Sequence, residues 1–172
     1  MCVHKIGGPG LIVEIDESQL ARRKHQRGRI PREIWVFGAL VRGSNPQKFA
    51  LAIVTNRKRR TLERVIDQMI DQRSTIVSDG WGGYVGLSAA GFHHLVVNHS
   101  ENFVHPRDPA IHTQGIENLW YVLMRFLRAK GTYTRRHLTS YLKEFMFRKS
   151  SPDIFDCFVS AAERHFLRTI AE

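Results

Sequence analysis

The chain has 172 residues, 42% hydrophobic and 24% charged, which is enough apolar content for the core of one ordinary domain. Its net charge of +10 and isoelectric point near 10.2 point to a polyanionic partner, of which nucleic acid is the usual one. No run approaches the roughly 20 apolar residues of a membrane helix, no secretory signal is legible, and two cysteines, Cys2 and Cys157, are too few for a disulfide framework or a zinc ribbon. A reducing, intracellular setting is expected, the cytoplasm in a bacterium or the nucleus in a eukaryote.

The charge is uneven. Residues 1–60 hold 13 Lys/Arg against 4 Asp/Glu, and the remainder holds 13 against 12, so the basic surface is local. Residues 1–10 read as a lead-in broken by Gly7-Gly8-Pro9-Gly10. Apolar runs at 11–17, 34–41 and 49–54, separated by a basic segment and the turn Gly43-Ser44-Asn45-Pro46, predict an antiparallel three-strand meander. Leu62, Val65, Ile66, Met69 and Ile70 then recur at helical spacing, with Thr61 as the expected N-cap. Further strands are predicted at 74–79 and 94–98, with a short helix between them. A polar loop follows over 99–112, then helices at about 113–129, 135–149 and 152–168. The order predicts an α/β, ribonuclease-H-like mixed sheet: three antiparallel strands, two more strands, flanking helices and a helical tail. The expected division is a lead-in over 1–10, the catalytic-type domain over 11–133, and a helical extension over 134–172 packed on it.

Carboxylates carry the candidate chemistry. Asp16 sits inside an apolar strand run, where acids are depleted and costly to bury unpaired. Asp79 closes a strand just before Gly80. If the first and fourth strands are neighbours, both acids lie at the sheet centre. On the helix from 113, the residues Ile116, Leu119, Trp120, Leu123, Phe126 and Leu127 form one apolar stripe. Gln114, Glu117, Tyr121, Arg125 and Arg128 fall on the other side. An acid in line with two arginines suits a divalent cation and a phosphate backbone; it also suits a plain solvated face.

Taken in order, Val13-Glu14-Ile15-Asp16-Glu17-Ser18, the basic run to Gly28-Arg29, Trp35-Val36-Phe37-Gly38, Ser78-Asp79-Gly80-Trp81, Asn98-His99-Ser100 and His112-Thr113-Gln114-Gly115-Ile116-Glu117-Asn118-Leu119-Trp120 resemble the ISXO-type insertion-sequence transposases and their Merlin relatives over about residues 9–133. The resemblance implies a DDE transposase that cleaves transposon-end DNA and transfers its strands, using Mg²⁺ or Mn²⁺ at a two-metal site and acting as a homo-oligomer on transposon ends and target. It assigns Asp16, Asp79 and Glu117 as the catalytic and metal-binding acids, with Gln114 competing for the third position. Two features depart from the family pattern. Met124 stands where relatives often carry Lys, and no N-terminal zinc-binding or helix-turn-helix region is present, so a fragment, a decayed copy or a domesticated DNA-binding descendant is the alternative reading. A third reading is a ribonuclease-H-like nuclease outside transposition.

Arg22, Arg23, Lys24, Arg27 and Arg29, together with Arg125 and Arg128, are the expected phosphate contacts. Arg57 to Arg60 are expected to open a helix, where cations oppose the dipole, which hints at an anionic partner. Trp81 is suited to stacking on a base, but a packing role is the favoured expectation. Nine scattered histidines without Cys partners predict no zinc, while His112 is placed near the active site. Trp120 is expected in the core.

Overall fold

The structure is a computed structural model that describes residues 5–20, 34–97, 112–131 and 135–150. The basic segment 22–29, most of the 99–112 loop and the helix expected at 152–168 lie outside the described residues.

Strand β1 (Ile12–Gln19) is followed by β2 (Trp35–Val41) and β3 (Phe49–Val54). β1 pairs antiparallel with β2, and β2 antiparallel with β3, which is the expected meander. Helix α1 (Arg59–Met69) buries Leu62, Val65, Ile66 and Met69, the stripe that its spacing predicted. It starts three residues earlier than a Thr61 cap requires. The Asn56 side chain accepts from the Lys58 N–H at 3.0 Å and from the Thr61 hydroxyl at 2.8 Å, so an upstream Asn does the terminating work. Strand β4 (Thr75–Asp79) and strand β5 (His93–Val97) complete the sheet. Between them the structure has a single 3-10 turn at Gly82–Tyr84 where a short helix was expected. Gly80, Gly82, Gly83, Gly86 and Gly91 crowd this stretch, and glycine is among the poorest helix formers.

The strand order is β3-β2-β1-β4-β5, with β1–β4 and β4–β5 parallel. β1 therefore lies at the centre, at the seam between antiparallel and parallel halves. Two apolar layers cover the sheet, as period-two alternation requires. On one face Val13, Ile15, Phe37 and Ile76 pack against Leu62, Ile66 and Ile70 from α1 and its end, with Tyr84. On the other, Val36, Leu40, Phe49 and Leu51 meet α2 (Gln114–Ala129) and α3 (Arg135–Ser150) through Ile116, Leu119, Leu123, Leu138 and Phe145. The rings of Phe49 and Phe145 meet edge-on at 5.7 Å, tying α3 to β3. Among the described residues, no helix is long and apolar enough to cross a membrane.

Candidate active site

β1 carries three acids, and alternation sends them to different places. Glu14 and Asp16 face α2, while Glu17 faces the α1 layer. Glu14 is 1% exposed. Its Oε2 accepts the Ile116 N–H at 2.9 Å, in the first turn of α2, and its Oε1 accepts from Arg42 Nε at 2.8 Å. Arg42 also donates to the His112 carbonyl at 2.6 Å, and the His112 ring lies 3.8 Å from Glu14. Thr113, at the N-cap of α2, makes no side-chain cap bond, so a carboxylate from the sheet satisfies the helix end instead. Gly115 permits this approach, because a Cβ there would stand 2.7 Å from Glu14 Oε2. Replacing this buried carboxylate, Glu14→Ala, should cost about 2–4 kcal/mol in urea denaturation. A loss below 1 kcal/mol would mean that α2 docks without it.

Asp16 lies one pleat further along the same face. Its Oδ2 accepts the indole N–H of Trp120 at 2.9 Å. Trp120 is in the core, as expected, and its polar edge also holds the first acid. The indole can lie over the sheet because Gly38, the residue paired with Asp16 on β2, has no side chain. A Cβ at Gly38 would stand 2.7 and 2.8 Å from Trp120 ring carbons. Gly38→Ala should therefore push the indole off Asp16 and lower the melting temperature by several degrees, a loss of about 1–3 kcal/mol. An unchanged melting temperature would show that the ring has room to yield.

The β1–β4 register pairs Glu14 with Val77, and Asp16 and Asp79 each lie two residues beyond that last pair, on adjacent strands. The two carboxylates feel each other. Burial, and then the neighbouring Asp79 charge, push Asp16 up to about 6, against the pull of backbone and Trp120 hydrogen bonds and of Arg57. Asp79 accepts the Trp81 N–H at 3.1 Å, an Asx turn that fixes its carboxylate at the strand end.

Behind this pair, on the other face of the sheet, lies a group that the sequence reading did not identify. The Glu17 side chain is fully buried, and Arg57 Nη2 approaches it at 3.6 Å. The Arg57 guanidinium is sandwiched between indoles, 4.6 Å from the Trp35 centroid and 4.0 Å from that of Trp81. Burial raises Glu17 to about 7, and the Tyr84 hydroxyl and Arg57 hold it from rising further. Tyr84 is itself pushed well above its ordinary range by burial and by Glu17. Even so, neither Glu17 oxygen nor the Tyr84 hydroxyl has a partner at hydrogen-bond distance among the described residues. The electrostatic proximity is real, while a formed Tyr84–Glu17 bond is not part of the geometry.

The third acid is placed differently. Glu117 is exposed in the first turn of α2, and its Oε1 accepts from the Thr113 hydroxyl at 3.3 Å. Gln114 is exposed one turn earlier. The structure thus brings Asp16 and Asp79 together and docks α2 beside them through Trp120, with the Glu117 carboxylate turned to its own N-cap. Among the described residues, no three acidic, His or Cys side chains converge to hold a metal ion. Arg125 and Arg128 are exposed along α2, Arg125 lying 6.0 Å over the Tyr121 ring. Arg22, Arg23, Lys24, Arg27 and Arg29 lie outside the described residues. Trp81 is not a core residue, being 41% exposed, but its indole packs at the turn against Arg57 and Gly83. Arg57 precedes α1 and is spent on Glu17 and the two indoles, so it does not open the helix.

This mixed five-strand sheet with flanking helices is a ribonuclease-H-like domain. The BIV integrase catalytic core domain superposes on it with a TM-score of 0.51, at 11% identity, over 90% of this chain and 97% of the other. A simian T-cell lymphotropic virus intasome chain, from a complex with PP2A regulatory subunit B56 gamma, gives 0.48 at 11% identity, over 81% of this chain and 49% of that one. No curated protein sequence matches the chain. The family profile of the ISXO2-like transposase domain matches residues 7–150, and the chain belongs to that family.

Proposed function

We propose that this domain is the catalytic unit of a DNA transposase that cleaves and joins transposon-end DNA with divalent metal ions. The observation that carries this reading is the Asp16–Asp79 pair, two carboxylates on adjacent central strands near enough to repel, with Asp16 held at about 6. Evolved sites accept such repulsion and desolvation where a cation later relieves them. The donors are hard oxygens, which fits Mg²⁺ or Mn²⁺. Asp16 and Asp79 would hold the ions, with Glu117, or Gln114 in its place, as the third donor after turning away from Thr113. When bound, the ions supply polarisation of the scissile phosphate and activation of the attacking oxygen.

The protein's own part is positioning. Trp120 holds Asp16 from above, the Trp81 N–H holds Asp79, and Glu14 docks the helix that carries Glu117. The basic segment with Arg22, Arg23, Lys24, Arg27 and Arg29, and the α2 arginines Arg125 and Arg128, would neutralise DNA phosphates, so binding should weaken steeply with salt. Assembly as a homo-oligomer on paired transposon ends completes the proposal.

A second reading, a DNA-binding descendant without catalysis, is favoured by the outward-turned Glu117 and by Met124. One experiment separates the two. With Mn²⁺ and a labelled end-bearing duplex, the wild-type chain should nick, and Asp79→Ala should not. Mn²⁺ should also raise the melting temperature of wild type and leave Asp79→Ala unmoved. DNA binding without nicking or metal stabilisation would establish the second reading, and nicking by Asp79→Ala would remove the acids from the mechanism.

A further inference from the structure

Trp81 is anchored on all sides but one. Its backbone N–H binds Asp79, its indole N–H donates to the Arg57 carbonyl at 3.4 Å, and the Arg57 guanidinium covers one ring face. Yet the residue is 41% exposed. This fixed indole beside a candidate catalytic acid packs on Arg57 with one face and leaves part of its surface open to solvent. It divides two hollows. One, of about 480 Å³, is lined by Arg57, Lys58, Arg59, Gly82 and Gly83. The other, of about 280 Å³, runs from Asp79 past Tyr84 and His94 to Val85 and Val96, which are 76% and 44% exposed. Val85 and Val96 thus give the hollow beside Asp79 an apolar edge, and Arg57, Lys58 and Arg59 lie on the far side of the indole.

We propose that Trp81 is a stacking platform for one unpaired nucleobase of the DNA strand engaged at Asp16 and Asp79. Val85 and Val96 form the apolar wall of the base pocket, and Lys58 and Arg59 meet the adjoining phosphates. Charge selects this occupant. An apolar peptide would use the indole and valines and gain nothing from the exposed Lys58, Arg59 and Arg60, whereas a nucleotide uses both halves. The hollow beside Asp79 is far too small for a duplex, so the base must be out of its pair. The cost of unpairing is least where the helix is already open.

This inference rests on the domain acting on DNA, and the test separates the two. Anisotropy with the full chain in EDTA would compare a fully paired duplex with the same duplex carrying two unpaired nucleotides. Wild type should favour the unpaired step. Trp81→Ala should weaken that binding about tenfold while leaving the paired duplex within about twofold, and Trp81→Phe should retain the preference. Equal loss on both DNAs, or no loss, overturns the stacking role and leaves the DNA reading intact. Failure of wild type to bind either DNA overturns both. A second measurement needs no variant: 2-aminopurine at the unpaired step should dim when wild type binds, and undimmed emission overturns the proposal even if Trp81→Ala does not fold.

Discussion

Asp16→Asn should abolish Mn²⁺-supported nicking, by about a thousandfold or more, and at the same time make the metal-free protein more stable at pH 8. The activity loss follows from removing one of two anchoring charges at the site. The stability gain follows from linkage. The Asp16 carboxyl, ordinarily near 3.8, sits at about 6 in the fold, so the folded state holds its proton more tightly than the unfolded chain does. That contribution is fully present below about pH 4 and is lost as pH rises through 6. Glu17, raised to about 7, adds to the same trend. Metal-free wild type should therefore lose stability from pH 4 to pH 8. Asn accepts the Trp120 N–H equally well and carries no charge to desolvate, so the variant should be flatter over this range. Its advantage at pH 8 should be about 1–3 kcal/mol, the full value of near 3 being trimmed by the part-exposure of Asp16. Thermal melts at pH 5 and pH 8 in EDTA would measure it. A variant less stable than wild type at pH 8 would mean that the charge is already compensated in the fold.

Arg57→Ala should give a large stability loss with a distinctive pH dependence. Removing the guanidinium leaves the fully buried Glu17 without its cation and still within the field of Asp16 and Asp79. Where Glu17 is ionised this should cost about 2–4 kcal/mol. Glu17 is neutral well below about 7, so its part of the loss should shrink at pH 5.5, leaving a residue of about 1 kcal/mol from the lost indole stacking. Adding Glu17→Gln should restore most of the stability at pH 8.5, a coupling that a double-mutant cycle reads directly. A loss of the same size at both pH values, with no rescue, would show that Arg57 acts by stacking alone.

The strands were legible because each is a dense β-branched or aromatic run, and the helices because their stripes hold strictly to 3.6 spacing. The sequence leaves the neighbourhood of the first and fourth strands as a condition for bringing Asp16 and Asp79 to the sheet centre, and the parallel β1–β4 pairing meets it. Glu14 and Glu17 were missed although they carried the same signal as Asp16, a carboxylate inside an apolar strand. Telling the three apart needs the identity of what lies over each face, and that is a tertiary fact: α2 over Glu14 and Asp16, Tyr84 and Arg57 over Glu17. Arg57 was read as one of four helix-opening cations because the helix boundary, set by the Asn56 side chain, is a matter of one or two residues. Trp81 was expected to pack because most tryptophans do. Its exposure depends on Gly82 and Gly83 turning the chain there, and a Cβ at Gly83 would strike the indole at 2.7 Å.

The position of β1 at the seam of the sheet also sets the order in which the site can come into being. The meander closes through neighbouring segments, a local process with little loop entropy to overcome. The β1–β4 pairing closes only after α1 has been threaded between them, joining Glu14 to Val77 across more than sixty residues of chain. Docking of α2 onto Glu14 reaches further still, to Ile116. During synthesis the first acid and the basic segment emerge together, long before a second acid or the covering helix exists. A chain stopped before β4 would hold the basic segment and only the first of the proposed catalytic acids, so on the proposed function it could bind DNA and not cut it. On the proposed function, the complete set of acids would be assembled only once β4 and α2 have joined β1.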